Sequence, residues 1–472
     1  MDKSQLILER MLQEIPALGL LLVAVVLLFW RIPKPKDINH SMAFRRRRIL
    51  NWLPLGLTYA FLYMGRYNIN IAKTTGIMTK AELGEITVIG TTVYALSFLI
   101  NGPLTDKYGG RLTIKLAAIG SAAANLGMAF VLMSDYEGSL VGPFGALYGV
   151  NMYFQSFGAV SIVKVNSSWF HIRERGTFGA MFGVLISLGI YLAYDWGAII
   201  VGFLPVHYAF MIPAIFLAIF FVIDHLMVYD TPAQAGQVDF DPEDASSGDD
   251  WPRLPVFEVA RKMFTNPVIL TIAFIEMCSG FIRGAVMKWG YFFVNETAVE
   301  GTKPFITQHW GAFLFCAGVL GGVFAGVVSD KVFHSRRGPT AGILYGGIIA
   351  AAIATLAFIT TPFAGYLVVL AILAVIGVHG MLAGTASMDF GGRKNAGLAV
   401  GLIDGMVYLG FGLQSVLLGY WLPTGEAQAD PENWRIWMYT IMPAAIIGFF
   451  LCLRIWNAKP VKKSEETAGS KA

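Results

Sequence analysis

The chain has 472 residues, of which 56% are hydrophobic and only 14% are charged, and its formal net charge is +4 at pH 7. Soluble domains carry about 25% charged residues, so this composition excludes a soluble globular protein. An outer-membrane barrel would show alternating segments of roughly ten residues, which the sequence lacks. The composition therefore predicts an all-α polytopic membrane protein.

The first predicted element is an extra N-terminal helix. The apolar run IPALGLLLVAVVLLFW at 15–30 follows three acids, Asp2, Glu9 and Glu14, and precedes the basic run RIPKPK. A cleaved signal peptide would instead have a basic start and a small-residue cleavage site. We therefore expect residues 1–44 to form a retained transmembrane helix followed by a basic linker.

Twelve further apolar segments follow in two sets of six. We expect an N-terminal six-helix half at 45–228 and a C-terminal six-helix half at 266–457. The stretch 229–265 contains DFDPEDASSGDDWPR without apolar periodicity, which is typical of a solvated acidic linker, and 458–472 is predicted to be a polar tail. The core spans are expected at roughly 49–72, 84–104, 112–134, 139–163, 178–203, 206–228, 267–294, 308–328, 339–361, 366–389, 396–420 and 435–457.

The placement of Lys and Arg predicts the orientation. Arg45–Arg48 precede the first core span, and when the loops alternate sides from there, most of the 35 Lys and Arg residues fall on one side. Cytoplasmic loops are the ones enriched in Lys and Arg. We therefore expect the acidic linker and the C-terminal tail in the cytoplasm, and the N-terminus outside it, in a bacterial-type inner membrane.

Two loops indicate an internal repeat. GPLTDKYGGR at 102–111 joins the second and third core spans, and GVVSDKVFHSRRG at 326–338 joins the matching spans of the other half. Each has an acid at the end of one helix and a base near the start of the next, which could clamp neighbouring helix ends in one conformation. The loop resembles the signature of the major facilitator superfamily, which implies two six-helix halves related by a pseudo-two-fold axis. The expected gating residues are Asp106, Arg111, Asp330 and Arg337.

Two arginines lie inside predicted spans. Arg66 in GLTYAFLYMGRYNINIA and Arg283 in GFIRGAVMKWG each belong to the first helix of a half. A mid-helix arginine costs about 2.5–3.5 kcal/mol on insertion scales, so each is expected to face a cavity or a partner. One interpretation is a structural ion pair, with Asp195 as the acid for Arg66 and Glu276 or Asp404 for Arg283. The other is an anion site between the halves, where two planar guanidinium forks bind a phosphate.

The segments around these arginines resemble a particular group of transporters. LTYAFLYMGRYNINIA, GFIRGAVMKWG and RKNAGLAVGLIDGMVYLG are similar to the organophosphate:phosphate antiporters, which include glycerol-3-phosphate and hexose-6-phosphate transporters. The resemblance covers 45–457. It implies that Arg66 and Arg283 bind the substrate, and that Tyr63 and Tyr59, one and two turns before Arg66, contribute to the same site.

The chain departs from this pattern at three positions. Glycerol-3-phosphate transporters carry a lysine on the second core helix and a histidine on the fifth, where this chain has Phe98 and Ile186. Their seventh helix has an acid before the tryptophan, where this chain has Lys288. Lys288 therefore joins the expected substrate-binding residues. Glu276 and Asp404 are additional acids and are the candidates for ion coupling.

The resemblance implies a secondary transporter that exchanges an organic phosphate ester, a sugar phosphate or glycerol-3-phosphate, for inorganic phosphate by alternating access. We expect a monomer in the lipid bilayer that is not an enzyme and uses no cofactor, metal or nucleic acid. Two alternatives stay open. Related receptors sense hexose phosphates for a membrane-bound kinase, which would then be the partner, and a proton-coupled anion symporter could use Glu276 or Asp404.

Overall fold

The computed structural model of the protein describes residues 40–134, 136–171, 175–238, 265–297, 305–333, 336–382 and 396–458, together with residue 261 and isolated positions before residue 24. Most of the predicted N-terminal helix and of the acidic linker lies outside the described residues, as does all but the first residue of the predicted tail. All the regular secondary structure in the described part of the chain is helical.

The first half begins with helix α1 (Met42–Lys73), which runs from the end of the bundle that carries Arg47 to the end that carries Lys73. These are called the Arg47 end and the Lys73 end, and the following helices alternate between them. They are α2 (Lys80–Tyr108), α3 (Gly110–Met133), α4 (Val141–Trp169), α5 (Arg175–Tyr191, continued by a π-helical turn at Leu192–Trp196 and by Gly197–Phe203) and α6 (Tyr208–Met227).

The second half begins at the Arg47 end with α7, whose path is interrupted by a π-helical turn near its middle. The helices are α7 (Pro267–Gly284, the π turn Ala285–Trp289, and Gly290–Glu296), α8 (Trp310–Val327, followed by a π turn at Val328–Val332), α9 (Arg337–Ala357), α10 (Ala364–His379), α11 (Ala396–Trp421) and α12 (Arg435–Arg454). A single helical turn, Phe305–Gln308, precedes α8.

Local sequence signals set several helix boundaries. Thr79 and Glu82 form a capping box that satisfies free backbone N–H groups at the start of α2. Asn266 caps α7, and Pro267 occupies the first helical position, where a missing N–H costs nothing. Gly109 joins α2 to α3 with a φ of 88°, a left-handed conformation that glycine adopts without strain.

The two halves have the same internal packing. In the first half α1 packs on α5 and α6, α3 packs on α4 and α6, and α2 packs on α4. In the second half α7 packs on α11 and α12, α9 packs on α10 and α12, and α8 packs on α10. Because each pair in one half has its counterpart in the other, the halves are related by pseudo-two-fold symmetry.

Two helix pairs join the halves, α2 with α11 and α5 with α8. The first pair is closest near the Lys73 end, where a Cβ on Gly84 of α2 would lie only 2.5 Å from the backbone oxygen of Ser415. No side chain can be accommodated at that position without moving the helices apart. The site described below lies between these crossing pairs.

Nine helices in the described residues, between Lys80 and Arg454, are each long and apolar enough to cross a membrane. The protein is therefore an integral membrane protein of helical type, as its composition predicted. Large apolar side chains such as Leu96, Phe130 and Phe450 are exposed on the outer surface of the bundle, which suits contact with lipid.

Candidate anion-binding site

Arg66 lies at the centre of the bundle and contacts both halves. Its side chain is only 3% exposed. Nε donates to Gln155 Oε1 of α4 at 2.7 Å, and Nη1 donates to the hydroxyl of Tyr408 of α11 at 2.5 Å. The remaining guanidinium nitrogen, Nη2, has no protein partner among the described residues. Arg66 is thus held from two sides while one N–H-bearing nitrogen stays unsatisfied.

Arg283 approaches the same tyrosine from α7. Its side chain is 7% exposed, and its Cζ lies 5.7 Å from the centroid of the Tyr408 ring, while Arg66 Cζ lies 5.5 Å from it. Within the described part of the chain, Arg283 Nε has no partner. Buried donors are nearly always satisfied in folded proteins, so two unsatisfied guanidinium groups beside one ring suit a bound anion.

Two of the three acids proposed as structural partners bind other groups. Asp195, in the π turn of α5, accepts hydrogen bonds from the backbone N–H groups of Gly311 (2.6 Å) and Ala312 (2.9 Å) at the start of α8. Glu276 Oε2 lies 2.9 Å from His379 Nδ1. Asp404 is half-buried on α11, one turn before Tyr408. In the described residues neither Arg66 nor Arg283 forms an ion pair with any of them.

The two tyrosines predicted for the site lie one and two turns before Arg66 on α1. The Tyr63 ring lies 4.6 Å from Arg66 Cζ, and Tyr94 of α2 contributes a second ring at the same distance. Tyr59 packs edge-on against Tyr63 at 5.1 Å, one turn farther from the arginine. Ring faces carry negative potential, so these tyrosines stabilise a buried cation without neutralising it.

Lys288 occupies the π turn of α7, and its side chain is 1% exposed. Nζ donates to Thr87 Oγ1 of α2 at 3.0 Å and to Ser415 Oγ of α11 at 2.9 Å. Both partners are neutral hydroxyls. π-Helical turns are often found at functional sites, because they displace a side chain from the regular helical register.

A small cavity connects Arg66 with Lys288. Its lining comes from α1, α2, α4, α7 and α11, so it lies between the two halves. Arg283 does not line it and meets the cavity wall at Tyr408. The lining residues are Arg66, Tyr67, Asn70, Thr87, Thr91, Tyr148, Met152, Lys288, Tyr408 and Phe411.

Several of these residues escaped the sequence analysis. Tyr408 bonds to a residue 342 positions away, and Tyr148 donates from α4 to the backbone oxygen of Arg66 at 3.1 Å. A tyrosine or threonine in an apolar helix is common and has no distinctive spacing. The available signal for Tyr408 was its position one turn after Asp404, on the same face of α11.

The Lys73 end carries an ion cluster that the sequence did not predict. Glu296, at the end of α7, accepts from Lys73 Nζ of α1 at 2.8 Å and lies 2.5 Å from Lys80 Nζ of α2. Lys80 also donates to the backbone oxygen of Pro423, after α11, at 2.5 Å. These contacts connect the first half to the second at this end of the bundle.

The predicted gating residues lie at the Arg47 end, and three of them form contacts within their own half. Asp106 accepts from Lys164 of α4 at 2.9 Å, and Arg111 donates from Nη2 to the backbone oxygen of His225 at 2.7 Å. Arg337 donates to Ser329 Oγ at 2.8 Å. The side chain of Asp330 lies outside the described residues. Asp106 therefore links α2 to α4, and Arg111 links α3 to α6, both within the first half.

One described position in the N-terminal segment, Glu14, reaches the bundle. Tyr191 of α5 donates to Glu14 Oε2 at 2.7 Å, and His309 Nδ1, before α8, lies 3.7 Å from Oε1. Glu14, Asp195 and His309 bring one potential metal-ligand atom each within 4.8 Å of one another. Both Asp195 oxygens already accept backbone hydrogen bonds, so the cluster serves to join the N-terminal segment to α5 and α8.

Comparisons with known proteins agree with this architecture. The model of the Major Facilitator Superfamily matches residues 55–415. The chain is 25% identical over 457 residues to the "Glycerol-3-phosphate transporter" of Bacillus subtilis, covering 90% of this chain and 96% of that protein. It is 25% identical over 450 residues to the "Membrane sensor protein UhpC" of Escherichia coli, covering 91% and 96%.

A third relative, the "Probable hexose phosphate transport protein" of Chlamydia pneumoniae, is 26% identical over 483 residues, covering 94% of this chain and 99% of that protein. Among solved structures, a bacterial homologue of the human lysosomal transporter Spinster superposes with a TM-score of 0.67 at 14% identity, covering 90% of this chain and all of that one. The nucleoside transporter NupG gives 0.60 at 14% identity, covering 89% and 100%.

These structural matches establish the fold, and the family match extends over most of the chain. They confirm the resemblance on which the predicted fold rested. The protein is a member of the major facilitator superfamily, a family of membrane transporters rather than enzymes.

Proposed function

We propose that the protein exchanges an organic phosphate ester for inorganic phosphate across a bacterial-type inner membrane, and that Arg66 and Arg283 bind the phosphate. The observation that carries the proposal is the pair of buried guanidinium groups beside Tyr408. Arg66 Nη2 and Arg283 Nε lack hydrogen-bond partners in the described residues, and neither arginine forms an ion pair with a carboxylate there.

The chemistry of the pair favours a phosphate over other anions. A guanidinium presents its N–H groups in a planar fork that matches the spacing of phosphate oxygens. Two forks and two positive charges suit a doubly charged phosphate group. The names of the relatives support a phosphate ester as the substrate, since they include a glycerol-3-phosphate transporter and hexose phosphate transport proteins.

The position of the proposed site between the two halves supports transport by alternating access, and the two cations favour exchange. Midplane sites at the interface of repeats are what alternating access requires. With the orientation predicted from Lys and Arg, the Lys73 end faces outward, and the cluster around Glu296 closes it. An empty site leaves two buried cations close to each other, which disfavours the occluded intermediate. A bound phosphate removes that cost and permits the return step with substrate bound.

The deciding experiment is phosphate self-exchange in proteoliposomes. Vesicles loaded with inorganic phosphate and reconstituted with purified protein should take up labelled phosphate much faster than vesicles with the same load but without protein. Glucose 6-phosphate and glycerol-3-phosphate are then added as competitors. An absence of exchange with folded protein would overturn the transporter proposal and favour a receptor, which the likeness to a membrane sensor protein would fit.

A further inference from the structure

The Lys288 ammonium is bound by two neutral hydroxyl groups and by no carboxylate in the described residues. The Thr87 hydroxyl donates its proton to the backbone oxygen of Leu83 at 2.6 Å, and the Ser415 hydroxyl donates to that of Phe411 at 2.8 Å. Each oxygen is therefore free to accept from the Lys288 ammonium. Two of the three ammonium protons are placed in this way, and Lys288 lines the cavity that also contains Arg66.

No carboxylate in the described part of the chain pairs with Lys288. Glu296 bridges Lys73 and Lys80, and Glu276 bonds to His379. Asp404 lies eleven residues before Ser415 on α11, a rise of roughly 16 Å. A buried, uncompensated ammonium is costly, so its retention in a cavity beside a candidate anion site points to an anion that is supplied from outside.

The spacing of the cations indicates the shape of that anion. Lys288 follows Arg283 by five residues, which is more than one helical turn along α7. On the facing helix, Ser415 beside Lys288 follows Tyr408 beside the arginines by seven residues, a rise of roughly 10 Å. Phe411 lies between them and lines the cavity, with its ring 5.6 Å from Lys288 Nζ. Lys288 and the arginines thus contact different positions along α11, which provides room for a second anionic group beside Lys288.

We propose that Lys288 determines specificity by binding a second anionic group, so that the preferred substrate is a phosphorylated carboxylate of about three carbons rather than a neutral sugar or polyol phosphate. This inference rests on the proposed function, because it assigns the phosphate to Arg66 and Arg283. A carboxylate two or three bonds from the ester oxygen spans the gap between the arginines and the ammonium. A neutral hydroxyl at that place would leave Lys288 without a counter-charge.

The test compares competitors in the phosphate-exchange assay. 3-Phosphoglycerate and glycerol-3-phosphate have the same length and differ in a carboxylate against a hydroxymethyl group. For the wild type we expect 3-phosphoglycerate to inhibit exchange at a concentration at least tenfold lower. Lys288→Gln should reduce this preference at least tenfold, whatever its absolute rate, and Lys288→Arg, which keeps the charge, should retain most of it.

Equal inhibition by the two esters in the wild type would overturn the proposal, as would an unchanged preference in folded Lys288→Gln. If the wild type shows no exchange, the proposed function fails, and the thermal shift of the detergent-solubilised protein by each ester decides the inference instead. A shift with 3-phosphoglycerate alone would support the role of Lys288, and equal or absent shifts would refute it. Lys107→Gln, at an exposed position on α2, is the matched control.

Discussion

Lys80 Nζ lies 2.5 Å from Glu296 Oε2, and this ion pair joins the start of α2 to the end of α7 across the two halves. The Lys80 side chain is 2% exposed and that of Glu296 is 12% exposed. Breaking a buried ion pair by removing one partner costs about 3–5 kcal/mol. Removal of Glu296 would leave the buried Lys80 ammonium without its carboxylate partner, which favours separation of the halves at the Lys73 end.

We predict that Glu296→Gln shifts the protein toward a state that is open at this end. In a background without the native cysteines, Thr91→Cys places a thiol in the central cavity. An impermeant maleimide added outside intact cells should label this thiol at least tenfold faster in Glu296→Gln. Glu432→Gln, which removes an exposed pair with Arg435 of the same half, is the control. Equal labelling rates in the two variants would mean that Glu296 does not stabilise the state that is closed at the Lys73 end.

Part of this site was predictable, because an arginine inside an apolar helix stands out at any position. Arg66 and Arg283 were identified in that way, and Lys288 by its departure from the pattern of the resembled transporters. The structure places Arg66 and Lys288 on one cavity and Arg283 beside Tyr408. The repeat also predicted the two-half fold, since paired loops imply paired helices. A charged residue in an apolar segment can be recognised from that segment alone, without knowledge of the helices packed against it.

The contacts between halves were not predictable from the sequence. Tyr408 and Glu296 acquire their roles through partners more than 200 residues away, and no local pattern marks such pairs. Asp195 was considered for Arg66 on depth alone, yet it caps the start of α8. Depth along a helix says nothing about which neighbour a side chain faces, and the π turn at Leu192–Trp196 further changes that direction.

A second prediction concerns topology. The three acids before the apolar run and the basic residues after it predict, by the positive-inside rule, that the N-terminus lies outside the cytoplasm. Lys3→Cys should react with an impermeant maleimide in intact cells. A cysteine at Lys107, on the opposite side of the predicted topology, should react only after lysis. The reverse pattern would invert the orientation of the whole bundle.

Asp106 should affect turnover more than binding. Its pair with Lys164 is about half exposed and lies at the Arg47 end, far from Arg66. Exposed pairs contribute at most about 1 kcal/mol to stability, so Asp106→Asn should fold normally. We expect at least a fivefold slower phosphate exchange with a phosphate affinity within threefold of the wild type. Lys164→Gln should reproduce the effect, whereas a tenfold loss of affinity would contradict a role limited to the gate.

The last prediction separates a phosphate site from a structural role for the arginines. Lysine keeps the charge of Arg66 or Arg283 but loses the planar fork. Hydrogen bonds to charged groups contribute about 1.5–3 kcal/mol each, so Arg66→Lys and Arg283→Lys should each weaken phosphate binding at least tenfold. Both variants should still insert and fold, because Tyr63 and Tyr408 can pack against an ammonium as well. Binding is measured by the thermal shift with inorganic phosphate, and Arg435→Lys at the exposed start of α12 is the control.

The same measurement applied to a double variant tests the structural interpretation directly. If Arg283 served only to neutralise Glu276, then Glu276→Gln combined with Arg283→Ala would restore function by removing both charges. Glu276 instead bonds to His379 at 2.9 Å and forms no ion pair with Arg283 in the described residues. The double variant should therefore remain as defective in phosphate binding as Arg283→Ala alone. Recovery of binding in the double variant, or near-normal binding in both lysine variants, would leave no basis for a two-arginine phosphate site.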